Sequence, residues 1–381
     1  MDNGPTMASP VQFELHDHID GIDAGAWDAL GDGHPATSHV FLRALEASGC
    51  VAGDSGWLPR HLIGRSEGKV VAAVPLYLKT HSYGEYVFDW AWADAYHQHG
   101  LEYYPKWLVA SPFSPLPGTR ILARSPQTQL AAIEALRSLA AESGLSSMHV
   151  LFCTATEAQS LASAGMLLRE GVQFHWIHRG ERDFAAFLAR LNHDKRKKIR
   201  QERRKLEALG LDYRWHDGTS AAAADWDFFL GCYEDTYAAH RSTPYLNRDF
   251  FDRIASDAPN RMRLLIASRG GQPLASAYFL VANGALYGRY WGARESVPGL
   301  HFELCYYQPI EYCLAHGLRR MEGGAQGEHK MARGLEPITT YSAHWIADRR
   351  FHDALQRHLA LEGRHVDAYR GELERRTPFR R

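Results

Sequence analysis

The sequence predicts an α/β (α+β) protein built as two tandem modules, each a mixed, largely antiparallel sheet flanked by helices. Three observations carry this expectation: two hairpins that match each other, a meander–helix–strand order in the second half, and apolar stripes at helical spacing between and after the modules. The boundaries fall at 11–182 for the first module and 183–381 for the second, which takes in a basic linker helix and a C-terminal helix.

The matching hairpins are Leu62–Leu76 and Leu265–Phe279, which align without a gap at a shift of 203 residues. Gly68 falls on Gly271, each at a turn where positive φ is needed, and Ala72 falls on Ala275. The second copy continues legibly. Strands are expected over Arg263–Ser268 and Leu274–Ala282, then a two-residue Asn283-Gly284 hairpin turn, then a strand over Ala285–Trp291. A helix over Phe302–His316 closes at Gly317, and Leu318–Glu322 is a strand leading into Gly323-Gly324. In the first half the hairpin spans Arg60–Leu78. A strand is expected over Tyr86–Trp92, a helix over Gln127–Ser143, a strand over Met148–Cys153 and a short helix over Thr156–Gly165. Between the modules, Leu188, Leu191, Ile199, Leu206 and Leu209 mark one or two helices, with Asn192 as a cap. Phe351, Leu355, Leu359, Val366, Tyr369 and Leu373 mark a last helix, followed by an Arg375–Arg381 tail expected to fray.

Composition excludes several classes. With 43 Lys+Arg against 44 Asp+Glu, global charge gives no ground for DNA binding, so any polyanion site is local. Five scattered cysteines without a C-x-x-C pair fit a reduced, cytoplasmic chain. The first ten residues lack the features of a secretory signal, and no apolar run is long enough for a membrane span. None of the 21 histidines falls in a zinc spacing, so no metal is expected.

Four segments carry candidate chemistry. In Lys195–Lys205, eight of eleven residues are basic, with only Glu202 as an offset; Lys195, Lys198 and Arg200 are candidate phosphate ligands. In Glu322–Gly334, glycines after a strand allow a ligand to approach the backbone, Glu322 stands where a carboxylate can orient or deprotonate an amine, and Lys330 can steady an oxyanion. Asp89, Trp90 and Trp92, with Tyr104, Lys106 and Arg120 beyond them, read as an aromatic wall for a sugar, a peptide or an acyl chain. Arg289 and Trp291 share a strand face, and His301 and Glu303 stand at the start of the following helix. Each segment also has a plainer reading: a solvated helix face, a polar loop, a core or a helix start.

As an ordered set, Phe88–Trp92, Tyr103–Lys106, Pro112-Phe113, the basic helix from Lys195, Leu300–Glu303 and Glu322–Gly334 resemble the FemAB-like proteins of the GNAT N-acyltransferase superfamily, across roughly residues 12–375. The resemblance implies two GNAT-like modules and transfer of an acyl or aminoacyl group, from acyl-CoA or aminoacyl-tRNA as co-substrate, to a primary amine such as that of a peptidoglycan precursor. It implies no tightly bound cofactor, and tRNA as a partner where the donor is aminoacylated. It places Lys330 beside the reacting carbonyl, with His329 where the family pair has Phe, and likens Glu322-Gly323-Gly324 to the family's acid-Gly-Gly strand end. The rival reading is a non-catalytic module that binds RNA or a phosphorylated precursor. A scaffold using its aromatic patches as a partner surface is a third. The oligomeric state stays open.

Overall fold

The two hairpins aligned in sequence are the same hairpin in space. The structure, a computed structural model, describes residues 10–325 and 327–380. The opening nine residues, Gln326 of the glycine-rich segment and Arg381 of the tail lie outside the described residues. In the first copy (strands His61–Ser66 and Lys69–Val74), Leu62 pairs with Val74, Ile63 with Ala73 and Gly64 with Ala72. The register then slips, and Arg65 pairs with Val70. In the second (Met262–Arg269 and Gln272–Ala282), Leu265 pairs with Ala277, Ile266 with Ser276 and Ala267 with Ala275. The register slips again, and Ser268 pairs with Pro273. Every pair, and the bulge itself, is displaced by the same 203 residues. Both turns have two central residues at positive φ, Glu67-Gly68 at 50° and 74° and Gly270-Gly271 at 57° and 80°, the geometry whose twist suits a two-residue hairpin.

The chain divides into two units, one formed by residues up to Glu170 with Thr340–Gly363, the other by Gly171–Thr339 with Arg364–Arg381. They are not two uninterrupted stretches, as the 11–182 and 183–381 boundaries had it. In the first unit, Gln12–His16, the hairpin and Leu122–Ala123 make an antiparallel sheet. A second sheet holds Ser147–Cys153, Lys106–Val109, Leu76–Lys79 and Trp57–Pro59, and is completed by Tyr341–Ile346 from the far end of the chain. In the second unit the order is Leu211–His216, Met262–Arg269, Gln272–Ala282, Ala285–Ala293 and Arg320–Glu322. It is completed by His175–Ile177. The second sheet of the first unit and the sheet of the second unit thus each borrow a strand from the other half of the sequence.

Helices cover these sheets where the caps and periodicity place them. Ser125 and Thr128 form a reciprocal cap for Pro126–Glu142, and Asn192 Oδ1 accepts from the Lys195 N–H at the start of His193–Glu207. Leu188, Leu191, Ile199 and Leu206 are buried as the stripe predicts, but Leu209 is exposed beyond the helix end. The expected strand over Tyr86–Trp92 is absent: Trp90–Gln98 is a helix. The alternation Trp90-Ala91-Trp92-Ala93 reads as a strand, but Trp92 and Tyr96, four apart on one helix face, are the two residues buried, while Trp90 lies on the opposite face. Through Arg380 the tail is held rather than frayed. The Pro378 carbonyl accepts from the Asn192 N–H at 2.8 Å, Arg380 N–H donates to Arg190, and the Arg190 guanidinium lies over the Phe379 ring. No helix among the described residues is long and apolar enough to cross a membrane.

The strand Ala285–Ala293 lies so close to the helix Ala223–Ala239 that a Cβ on Gly292 would stand 2.2 Å from the Cys232 carbonyl oxygen. Gly292→Ala is expected to lower stability by about 1–3 kcal/mol, read as a lower urea midpoint with an unchanged m-value. An unaltered midpoint would mean that the helix shifts without cost.

Candidate functional site

In the second unit two parallel strands pair briefly and then part. Ala285–Tyr287 lie beside Arg320–Glu322, after which one strand runs on to Ala293 while the other turns away at Gly323. On the far side of the longer strand, Tyr278 pairs with Tyr290 but Phe279 with Gly288, so Arg289 is the extra residue of a bulge. Gly288 permits this crowding: a Cβ there would stand 3.2 Å from the Glu322 carbonyl. The parting opens a cleft of about 390 Å³.

Six segments line it, among them the strand Gln272–Ala282 with Ala277 and Phe279. The diverging strand brings Arg289, Tyr290 and Trp291; the shorter one brings Glu322 and Gly323; the helix Ala223–Ala239 brings Tyr233, Thr236 and Tyr237. A π-turn over Glu303–Tyr307 allows His301, Cys305 and Tyr306 to face the cleft together, and the 3₁₀ turn Glu328–Arg333 brings His329 and Lys330. Of the residues expected from sequence, Lys330, Glu322, His301, Arg289, Trp291, Gly323 and His329 meet here. Tyr233, Thr236, Tyr237, Tyr290, Cys305 and Tyr306 were missed. Only the i, i+4 spacing of Tyr233 and Tyr237 hinted at a shared helix face.

The cleft is cationic. Lys330 is buried, its Nζ donates to the Gly323 carbonyl, and it has no carboxylate partner among the described residues, so burial pushes its pKa down to about 8. Burial, with the nearby charges of His329, Lys330 and Arg333, pulls His301 down to about 4, leaving a neutral imidazole 5.1 Å from the Trp291 ring. The Glu322 carboxylate accepts from Arg320 Nε at 3.0 Å. The turn bearing Lys330 is braced by Arg333, which donates to the His329 carbonyl and to Glu202, and lies 3.5 Å over the Phe302 ring. Gly323 serves packing and pairing rather than an open backbone cradle. Its N–H donates to Phe174, and a Cβ would lie 2.5 Å from Leu335. The Gly324 carbonyl likewise accepts from Phe174.

Other expected residues are engaged elsewhere. Glu303 does not line the cleft: it is buried, with both oxygens on Arg203 and one also on Gln308. The aromatic wall of the first unit is largely interior. Trp92 is buried edge-on to His344, while Trp90 is partly exposed against Tyr83. Lys106 is fully buried between Glu85 and Asp89 and donates to Ser82, which also bonds the Tyr104 hydroxyl. Burial alone would raise the Asp89 carboxyl, but Lys106 outweighs it and holds the pKa well below the usual range. Glu85, where burial dominates, rises to about 7. Asp89 also accepts from Tyr103, which contacts His149, and His149 in turn meets His344. Arg120 is a staple, donating to the carbonyls of Leu116, Gly118, Thr119 and Leu151.

On the basic helix, Glu202 turns inward to Arg333 and Tyr307, so it does not offset the outer charges. A groove of about 500 Å³ runs along this helix and takes in Arg200, but not Lys195 or Lys198. All five cysteines are free thiols, and no group of metal-ligating side chains occurs among the described residues.

One hairpin module thus occurs twice in the chain, and one copy carries a cationic cleft where parallel strands part. The chain belongs to the FemAB-like family of peptidoglycan biosynthesis/recognition proteins, whose model matches residues 18–381. No curated protein sequence matches it. Among solved structures it is similar in fold to FemX, with a TM-score of 0.56 and 12% identity over 88% of this chain and 98% of that one. It is likewise similar to the C-terminal domain of a putative lysylphosphatidylglycerol synthetase from Agrobacterium fabrum (0.54; 11% identity; 89% and 95% covered). L-PGS from Bacillus licheniformis is a third such structure (0.54; 10% identity; 91% and 97% covered).

If Lys106 is structural, Lys106→Met leaves Glu85 and Asp89 as unpaired buried carboxyls. We expect a loss of about 3–5 kcal/mol in chemical denaturation, partly recovered when Glu85→Gln and Asp89→Asn are added. Wild-type stability in the single variant would refute this role.

Proposed function

We propose that the chain is an N-acyltransferase that moves an acyl or aminoacyl group to a primary amine, with a peptidoglycan precursor as the acceptor class. The observation that carries this reading is Lys330: a buried lysine without a carboxylate partner among the described residues, in an aromatic, cationic cleft. Membership of the FemAB-like family supports it. The donor is an activated carboxyl, either the thioester of acyl-CoA or the ester of aminoacyl-tRNA, and neither needs a tightly bound cofactor.

In this mechanism the acceptor amine attacks the donor carbonyl, forming the C–N bond and a tetrahedral oxyanion. The Lys330 ammonium donates to that oxyanion, a charge present only on the reaction path and therefore an interaction that lowers the barrier. His301, neutral at pH 7, takes the proton released by the amine. Collapse expels the thiolate or ribose oxygen, which takes from His301 the proton that came from the amine. Glu322, set by Arg320, orients the amine. Tyr233, Tyr237, Tyr290 and Trp291 exclude water and hold the reactants together, from which much of the rate derives.

Purified protein incubated with labelled acyl-CoA or aminoacyl-tRNA and a panel of amines tests the reading. Turnover supports it, whereas salt-sensitive RNA binding without turnover favours the binding-module alternative. Lys330→Met is expected to lower kcat by about 10²–10³ with a small change in KM. Because the ammonium is the active form and its pKa is about 8, kcat/KM should fall as pH rises through that value. A rate that instead increases through pH 8 would assign Lys330 the role of a base.

A further inference from the structure

The groove on the basic helix has features that stability does not explain. Arg196, Arg200 and Arg204 follow one another at i, i+4 and i+8 on His193–Glu207, about 6 Å apart along the axis. Lys197 flanks the row. Among the described residues none of these four has a carboxylate within ion-pairing distance. Arg203 on the same helix, by contrast, holds both Glu303 and Glu311. Like charges four residues apart weaken a helix by a few tenths of a kcal/mol per pair, so the row costs the fold something, and no ion pair among the described residues offsets it. Glu207 stands at the rim as the one acid of the lining, with His193 as a further ring.

The floor is apolar. Phe184 and Leu188 from the preceding helix Phe184–Arg190 line it, and the Arg203 guanidinium sits 4.8 Å from the Phe184 ring. A row of guanidinium groups without carboxylate partners among the described residues matches closely spaced phosphates; Arg204 Nε donates at 3.3 Å to the Arg200 carbonyl, and its other N–H groups are left for a ligand. A partly open aromatic ring beside it matches the flat face of a base. The volume is within the range of small-ligand sites.

We propose that this groove binds a nucleotide diphosphate moiety, with its phosphates on Arg196, Arg200 and Arg204 and its base over Phe184. Its use as the phosphate anchor of the acyl donor rests on the transferase reading; the binding itself does not. The groove is also linked to the cleft, because Glu202 on the inner face of the same helix holds Arg333 in the turn that carries Lys330.

Equilibrium titration of the full chain with ADP, coenzyme A, inorganic pyrophosphate and a short RNA hairpin tests this without requiring turnover. ADP and coenzyme A should bind more tightly than pyrophosphate, with affinity that falls as salt rises. R196Q/R200Q/R204Q should weaken ADP binding by about tenfold or more. K195Q/K198Q/K205Q, which removes the same charge outside the groove, should weaken it by less than about threefold. Phe184→Ala should weaken ADP but not pyrophosphate. The variant residues are largely at the surface, and matching unfolding midpoints confirm that loss of binding is not loss of fold. Equal weakening by the two triple variants, no ADP binding by wild type at low salt, or binding of the RNA hairpin alone would each overturn the proposal. Failure of the amine-panel assay with ADP binding intact would count against the transferase reading and leave the groove standing.

Discussion

The site depends on a pairing that stops early. Three residues of Arg320–Glu322 lie parallel to Ala285–Tyr287, and then the chain departs at Gly323 because Leu335 and Phe174 crowd that position too closely for a side chain. The longer strand is left with an unpaired edge. The bulge at Arg289 and the small Gly288 bend that edge, and helix, π-turn and 3₁₀ turn close around the gap. Without the departure the strands would continue as an ordinary ladder, and Lys330 would have no opening to face.

Two buried lysines illustrate how partners, rather than burial, decide what a charge does. Lys106 lies between two carboxylates, which outweigh desolvation and raise its pKa. Its charge is therefore permanent, and it holds Ser82, Glu85 and Asp89 together. Lys330 donates to the Gly323 carbonyl and has no carboxylate partner among the described residues, and desolvation prevails. A lysine poised near pH 8 can respond to charge developing on a bound carbonyl, whereas one already neutralised by two acids cannot. Both sequence contexts are short basic positions near glycines or aromatics, and nothing in either distinguishes them.

Local rules were legible where the deciding contacts are local. The hairpins at Gly68 and Gly271, the Asn283-Gly284 turn, the Asn192 cap and the helix over Pro126–Glu142 depend on turn chemistry and periodicity within a few residues. Where the local alternation reads as a strand, as at Trp90–Trp92, packing chose the helix by burying Trp92 and Tyr96 together. Part of the cleft was readable because Glu322 and Lys330 stand at a strand end and in a glycine-rich turn, and Arg289 shares a strand face with Trp291. The tyrosines of Ala223–Ala239 were not, since a helix face has no chemical label until its partner is known.

The sequence by itself determined the repeat down to its bulge, because a gapless shift of 203 residues carries every hairpin pair with it. It also determined the basic helix and the strand end that bears Glu322. Tertiary structure alone decided which charges remain available. Arg203 is locked by Glu303 and Glu311, Arg120 by carbonyls, and Lys106 by Glu85 and Asp89, while Arg196, Arg200 and Arg204 face outward along one groove. The physical reason is that ion pairs in this chain join residues as far as 193 positions apart, as Arg169 and Glu362 are. Whether a charge is neutralised or exposed is therefore a property of the packing around it rather than of its neighbours in sequence.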